Sequence, residues 1–153
     1  MEKIIKDTEI EKLPSNGVVL AGGCFDTIHP GHTKFLQLSK KQGKMLVILL
    51  ESDISIRKLK GEDRPMNKQF TRAKNLSKLP FVDFIILLSM PTSSDYYYNL
   101  VKSICPDIIA VTSDDPLMEV KKEQASLVGG KVVVVMNRDK KYSTTIRLKE
   151  SKL

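Results

Sequence analysis

Short apolar runs alternate with amphipathic segments along this chain. The runs are too short for typical helices and lack the alternation of half-exposed strands, which indicates strands buried on both faces of a parallel sheet. The five runs are the one that begins at Val18 and the ranges 45–50, 82–88, 108–111 and 131–136. Because segments that predict helices separate them, the pattern predicts an α/β fold: a Rossmann-like, doubly wound, five-stranded parallel sheet of order 3-2-1-4-5.

The N-terminal segment differs from this alternating pattern. Residues 1–16 carry mixed charges around a few isoleucines and end in the turn sequence Pro14-Ser15-Asn16-Gly17. We predict a short helix or an extended arm over residues 1–16 that packs on the domain. With 153 residues, of which 41% are hydrophobic, the chain has the size of one ordinary domain, which we assign to residues 17–153.

The charge of the chain limits the classes of ligand that it is expected to bind. The formal net charge is +7, from 25 Lys and Arg against 18 Asp and Glu. These basic residues are spread along the chain with few aromatic residues between them. This distribution favours anionic small molecules, or simply a solvated surface, over nucleic acid.

The cysteines and the lengths of the apolar runs indicate the cellular compartment of the protein. Cys24 lies inside a glycine-rich motif and Cys105 ends an apolar helical pattern, so both are predicted to be reduced core thiols. The sequence contains no apolar run long enough to span a bilayer, and its N-terminus does not resemble a signal peptide. We therefore expect a cytoplasmic protein without a membrane partner.

A glycine turn followed by two histidines ends the first predicted strand. Pro30 suits the first position of a helix, which places His29 and His32 at the helix start. Free backbone N–H groups and the positive helix end form an anion site there, and Gly23 lets a phosphate approach the backbone. Two imidazoles could donate hydrogen bonds to a phosphorus centre, which points to nucleotidyl transfer.

Two other interpretations of the histidine pair stay open. The pair could be a helix cap plus a surface residue, or two ligands of a metal ion. A metal is disfavoured because the chain has only two His and no third His or Cys is placed to join them. No metal ligands are therefore assigned.

Residues 23–32, G-C-F-D-T-I-H-P-G-H, resemble the signature G-x-F-D-x-x-H-x-G-H. That signature marks the cytidylyltransferase-like nucleotidyltransferases, a branch of the superfamily named for its H-x-G-H motif. The resemblance implies that His29 and His32 are catalytic. It also implies a nucleotide site formed by Gly23, Cys24, Phe25 and Asp26.

A second cluster covers residues 59–72, L-K-G-E-D-R-P-M-N-K-Q-F-T-R. Here Asn67 is predicted to cap a helix that contains Arg72. The block resembles the pattern L-K-G-x-x-R-P-x-N-x-x-x-x-R of the heptose 1-phosphate adenylyltransferase domain, which makes ADP-heptose. The resemblance implies a catalytic Lys60, a phosphate contact from Arg72 and a weaker one from Arg64. The alternative to a phosphate contact is that Arg72 simply lies on the exposed face of a helix.

Two carboxylates follow the fourth predicted strand. Asp114 and Asp115 could hold Mg²⁺ through water, bind hydroxyl groups of a nucleoside or sugar, or cap the next helix. Relatives carry a glycine-rich loop where this chain has Thr112 and Ser113, which leaves the acceptor open.

The C-terminal segment contains a hydroxyl cluster. Ser143 suits the N-cap of a last helix, with Thr144 and Thr145 at its positive end. The cluster resembles the S-T-T motif that binds nucleotide phosphates in the superfamily. Arg138 stands where glycerol 3-phosphate cytidylyltransferases have an arginine.

Together these motifs predict an enzyme that transfers a nucleoside monophosphate from ATP to a sugar 1-phosphate of the heptose type, releases pyrophosphate and uses Mg²⁺. A CTP-dependent enzyme acting on glycerol 3-phosphate, an FMN adenylyltransferase and a non-catalytic nucleotide-binding module stay as alternatives. The resemblance also implies a homodimer.

Overall fold

The computed structural model describes residues 2–91 and 93–137. Its strands are β1 (Ile4–Lys6), β2 (Val18–Gly23), β3 (Met45–Leu50), β4 (Phe84–Leu87), β5 (Ile108–Thr112) and β6 (Lys131–Met136). Its α-helices are α1 (Pro30–Lys40), α2 (Asp53–Lys60), α3 (Gln69–Ser77), α4 (Ser94–Ile104) and α5 (Met118–Leu127), and Ile10–Lys12 forms a short 3₁₀ helix.

The described strands form one parallel sheet in the order β1-β4-β3-β2-β5-β6. The five predicted strands are β2 to β6, and their order confirms the predicted arrangement 3-2-1-4-5. The strand count was wrong by one, because part of the N-terminal arm pairs with β4 through Ile4↔Ile85 and Ile5↔Ile86. Ile5 is buried in this position, which explains why so short a segment is held in the sheet.

The sheet has a hydrophobic core on each face. On one face, Leu20 and Ile86 pack in the same cluster as Val101 of α4. On the other, Val19 packs in the same cluster as Leu36 of α1, together with residues of α3. Successive strand residues thus alternate between two cores, as expected for a sheet covered by helices on both sides.

Several local predictions needed correction. Helix α3 begins at Gln69 with Lys68 at its cap position, so Asn67 is not the N-cap. Cys105 is exposed at the end of α4 with φ +51°, so it is not a core thiol.

Both cysteines are free, and Cys24 is only partly buried. Among the helices of the described ranges, none is both long and apolar enough to cross a bilayer.

Candidate functional site

His29 caps helix α1 at the carboxyl end of β2. Its Nδ1 accepts hydrogen bonds from the backbone N–H groups of Gly31, at 3.1 Å, and His32, at 3.4 Å. Pro30 occupies the first helical position, as predicted. Because Nδ1 acts as an acceptor, the neutral ring carries its proton on Nε2, which is therefore a donor. The capping role and the donor role, which the sequence set against each other, are compatible in one ring.

His32 is stacked on His29. The ring centroids are 3.8 Å apart with an interplanar angle of 21°, and the Phe25 ring forms a T-shaped contact with His32, with ring centroids 5.3 Å apart. A Cβ on Gly23 would lie 2.8 Å from the Phe25 ring, so only glycine allows this packing. Gly23 thus acts through Phe25 and His32 on the geometry of the histidine pair.

Asp26 is buried and binds the loop that follows α2. Its carboxylate accepts hydrogen bonds from Arg64 Nε at 3.1 Å and from the backbone N–H groups of Met66 and Asn67 at 2.7 and 2.9 Å. Burial alone would raise the pKa of Asp26, but these hydrogen bonds and the Arg64 charge outweigh it and lower the pKa. The contacts give Asp26 a positioning role, and none of them supports the predicted contact with a nucleotide.

Arg72 is completely buried, so the alternative of an exposed helix face is wrong. Its Nε donates to the carbonyl oxygen of Asn67 at 3.0 Å, Nη1 donates to that of Cys24 at 2.8 Å, and Nη2 pairs with Asp53 at 2.7 Å. A buried guanidinium needs such partners, because an unpaired buried charge is very costly. These contacts give Arg72 a role in positioning the Cys24 loop and the start of α2. None of them supports the predicted direct contact of Arg72 with a phosphate, which stays a prediction.

Lys60 is exposed at the end of α2, where Gly61 turns the chain with φ +113°. Burial raises the pKa of the Cys24 thiol above its ordinary value, and the Lys60 charge opposes that rise. Lys60 is therefore near the histidine loop, and its ammonium group makes no hydrogen bond or ion pair with the part of the chain that the structure describes. Its predicted role in binding phosphate is compatible with this position.

Arg64 lies deeper than Lys60. Its side chain is 5% exposed, and its Nη2 is buried without a hydrogen-bond partner within residues 2–91 and 93–137. Its Nε is bound to Asp26, so a phosphate contact by Arg64 requires one of the two Nη nitrogens.

The two carboxylates after β5 differ in their environments. Asp115 accepts a hydrogen bond from the backbone N–H of Leu117 at 2.8 Å and pairs with Lys121 of α5 at 2.7 Å, but α5 has no side-chain cap hydrogen bond, so the capping alternative is wrong for this helix. Asp114 is exposed and accepts a hydrogen bond from the Thr112 hydroxyl at 2.9 Å. The predicted site residues Arg138, Ser143, Thr144 and Thr145 lie outside the described residues.

Sequence reasoning missed Tyr97 as a particular residue, although the run of three tyrosines signalled that they could not all face inward. The Tyr97 hydroxyl is buried, and a Cβ on Gly22 would lie 3.8 Å from it. Burial raises the pKa of Tyr97 far above its ordinary value, and the carboxylates of Asp115 and Glu51 add to the rise. Tyr97 therefore stays a protonated phenol next to the end of β2.

Three comparisons with known proteins agree with this geometry. The sequence profile described as cytidylyltransferase-like matches residues 20–152. The bifunctional protein HldE of Campylobacter fetus is 42% identical over 114 residues, which are 73% of this chain and 24% of that protein. HldE of Pelobacter propionicus is 36% identical over 139 residues, or 90% of this chain and 28% of that protein. The chain spans about a quarter of the length of these curated relatives.

Solved structures show the same fold. A lipopolysaccharide core biosynthesis protein from Thermoplasma volcanium is 28% identical, with a TM-score of 0.65 over 80% of this chain and 96% of that one. Pantothenate synthetase from Thermus thermophilus shares the fold at 13% identity, with a TM-score of 0.69 over 97% of this chain and 70% of that one. Since the family profile covers most of the sequence, the chain belongs to the cytidylyltransferase-like family.

Proposed function

We propose that this chain is a nucleotidyltransferase that joins a nucleoside monophosphate to a phosphorylated small molecule and releases pyrophosphate. The observation that carries the proposal is the stacked pair His29 and His32 at the start of α1, in a chain of the cytidylyltransferase-like family. Helix N-termini bind anions, and Lys60 adds a positive charge that acts on Cys24 of the same loop.

The proposed reaction is an in-line displacement at the α-phosphorus of the triphosphate. An oxygen of the acceptor phosphate forms the new P–O bond, the bond to the β-phosphate breaks, and pyrophosphate leaves with its electron pair. His29 donates from Nε2 and His32 from its ring to the α-phosphoryl oxygens, and Lys60 neutralises the phosphate charge. No covalent enzyme intermediate is needed, because positioning and electrostatics carry the catalysis.

The β- and γ-phosphates are assigned to Ser143, Thr144 and Thr145 on the resemblance alone, with Arg138 nearby. Within the described ranges, no three His, Cys, Asp or Glu side chains come together as a metal site. These residues therefore do not form a closed site for an ion, and we propose that Mg²⁺ enters bound to the phosphates of the nucleotide substrate.

For the acceptor we propose a sugar 1-phosphate of the heptose type, with ATP as the nucleotide. The support is the resemblance of residues 59–72 to heptose 1-phosphate adenylyltransferase domains and the match to bifunctional HldE proteins. A homodimer is proposed on the same resemblance. The cytidylyltransferase, FMN adenylyltransferase and non-catalytic alternatives are outcomes of the test below.

The test is pyrophosphate release from ATP or CTP, each with heptose 1-phosphate, glycerol 3-phosphate and FMN, in the presence of Mg²⁺. We expect release with ATP and heptose 1-phosphate, and loss of that release in His32→Ala. Gln37→Ala, which changes an exposed residue of the same helix, is the matched control and should retain activity. Pyrophosphate release only with CTP would favour the cytidylyltransferase alternative. No pyrophosphate from any pair would contradict the proposed function and favour a nucleotide-binding module.

A further inference from the structure

The side chain of Gln69, in the first turn of α3, joins the ends of two neighbouring strands. Its amide nitrogen Nε2 donates to the carbonyl oxygen of Leu50, at the end of β3, at 3.0 Å, and to that of Leu88, directly after β4, at 2.9 Å. The carbonyl oxygen of Glu51 lies 3.4 Å from the same nitrogen. The amide group thus uses its hydrogens to connect the two strands, and the proposed reaction assigns it no role.

These hydrogen bonds lie at the junction between β3 and α2, the helix that ends at Lys60. Glu51 stands just before the first turn of α2, which begins at Asp53. Of the eight residues of α2, only Ser55 and Ile56 are buried, so packing of its side chains gives the helix little support. The direction of α2 therefore depends on how its first residues are held.

Two side chains of α3 hold this junction. Gln69 binds the residues that precede α2, and Arg72, one turn later in α3, pairs with Asp53 at 2.7 Å. The same junction is bound to β2, because the backbone N–H of Glu51 donates to the carbonyl oxygen of Gly23 at 3.1 Å. The position of α2 relative to the histidine loop is thus set in part by α3.

A small displacement at the start of α2 becomes larger at Lys60. The helix has eight residues, so its two ends lie about 10 Å apart at a rise of about 1.5 Å per residue. A tilt of about 10° at Asp53 therefore moves Lys60 by about 2 Å. A movement of this size weakens the attraction between the ammonium group and a bound phosphate.

We propose that Gln69 is a positioning residue for Lys60. By binding the ends of β3 and β4, its amide group fixes the start of α2 and so holds the Lys60 ammonium group near the histidine loop. The inference rests on the proposed function, because Lys60 is the group proposed to neutralise the phosphate charge. Cys24 reports on this placement independently of activity, since the Lys60 charge acts on its thiol.

The first test is Gln69→Met, which keeps the length of the side chain but removes the donor. We expect kcat/KM to fall about tenfold, because Lys60 is displaced from the phosphates. In a Lys60→Ala background the same change should lower kcat/KM less than about twofold, because the group that Gln69 positions is already absent. A purely structural role would produce the same loss in both backgrounds.

The second test is alkylation of Cys24 by iodoacetamide near pH 8, in a Cys105→Ser background. The reaction should be slower in Gln69→Met, because the displaced Lys60 charge stabilises the thiolate less. Lys60→Ala should remove the difference between the two proteins. If Gln69→Met does not fold, Gln69→Asn, whose amide group is withdrawn by one methylene, takes its place in both tests.

Lys3→Met is the matched control. The Lys3 ammonium group also donates to two carbonyl oxygens, those of Ser77 at 3.1 Å and Leu79 at 3.2 Å, but at the C-terminal end of α3. Lys3→Met should therefore lower the melting temperature without changing kcat/KM or the rate of alkylation.

Two results would overturn the inference. An unchanged rate of Cys24 alkylation in Gln69→Met shows that Lys60 has not moved. An equal loss of kcat/KM with and without Lys60 shows that Gln69 acts on another part of the protein. A wild type that releases no pyrophosphate contradicts the proposed function, and the alkylation rates then still test whether Gln69 positions Lys60.

Discussion

Arg72 donates a 2.8 Å hydrogen bond from Nη1 to the carbonyl oxygen of Cys24, 48 residues earlier in the chain. Because Cys24 lies between β2 and the capping residue His29, this contact connects α3 to the loop that carries the histidines. The same guanidinium pairs with Asp53 at the start of α2, the helix that ends at Lys60. One buried side chain therefore holds both groups proposed to bind the triphosphate.

Replacing this arginine should destabilise the fold and disturb the site together. Arg72→Ala leaves Asp53 and two carbonyl oxygens without their donor, so we expect a loss of about 3 kcal/mol in the free energy of unfolding. Arg72→Lys keeps the charge but loses the planar fork, and should lie between wild type and alanine. Urea denaturation measures the effect. Thr71→Ala, at an exposed neighbouring position, is the control, and equal stability of the two alanine variants would contradict the positioning role.

The two functions of His29 can be separated by substitution. His29→Asn should keep most of the stability, because asparagine is a good N-cap, while turnover falls about a hundredfold. His29→Ala should lose the turnover and also about 1 kcal/mol of stability. Pyrophosphate release and thermal denaturation measure the two effects. Full turnover in His29→Asn would show that His29 is only a cap.

His32 does not accept the capping hydrogen bonds, so its removal leaves the cap of α1 in place. His32→Ala should lower kcat by about two to three orders of magnitude, with a smaller effect on nucleotide binding. Steady-state kinetics and a nucleotide titration measure the two quantities. Unaltered turnover would refute the assignment.

Lys60 can be tested by its charge on Cys24 as well as by activity. Lys60→Ala should lower kcat/KM about a hundredfold, and it should raise the pKa of the Cys24 thiol further, because the opposing positive charge is gone. Alkylation of Cys24 by iodoacetamide near pH 8, in a Cys105→Ser background, should therefore become slower. Lys58→Ala, an exposed lysine of the same helix, is the control. An unchanged alkylation rate would place Lys60 away from the histidine loop.

Asp7 gives a stability that depends on pH. Its carboxylate accepts hydrogen bonds from the Ser89 hydroxyl at 2.5 Å, from the backbone N–H of Ser89 at 3.1 Å and from Tyr96 at 2.6 Å. Burial alone would raise the pKa of Asp7, but these hydrogen bonds outweigh it and hold the pKa below the ordinary value of 3.8. The ionised form is therefore the one that the fold stabilises.

Because the folded pKa is the lower one, the stabilisation is fully present above the ordinary value and is lost as pH falls through the folded pKa. We expect Asp7→Asn to be less stable than wild type by about 1 kcal/mol at pH 7, with the difference vanishing in strong acid. Thermal denaturation across this pH range measures it, with Glu11→Gln at an exposed position as the control. A difference independent of pH would contradict the role of the charge.

The sheet was predictable because its strands are continuous apolar runs, whereas the segments between them contain polar residues. Runs such as Met45–Leu50 have no polar position, so burial on both faces was the only good solution. Strand β1 was not predictable as a strand, because its three residues offer too little pattern, and Ile5 is buried only through pairing with β4. Local sequence carries no trace of such a distant partner.

In the candidate site, the sequence identified which residues belong to the site better than it identified their roles. The motif contained Asp26 and Arg72, but a sequence pattern does not distinguish a charged residue that binds a ligand from one that binds a neighbouring loop of the protein. Asn67 has the chemistry of a helix cap, yet its side-chain amide donates to the carbonyl oxygen of Asp26 at 2.7 Å. The partner that Asn67 binds is decided by contacts between residues some 40 positions apart in the sequence, such as those between Asp26 and residues 64–67.

The short strand β1 has a consequence for the behaviour of the protein at high concentration. By pairing with β4 it covers N–H and C=O groups of Phe84–Leu87, which would otherwise offer a template to another polypeptide. Strand β1 stands at the end of the sheet, is only three residues long, follows Lys3 and ends in Lys6, features that discourage intermolecular strand addition. Strand β1 should therefore reduce association between copies of the protein through this edge of the sheet.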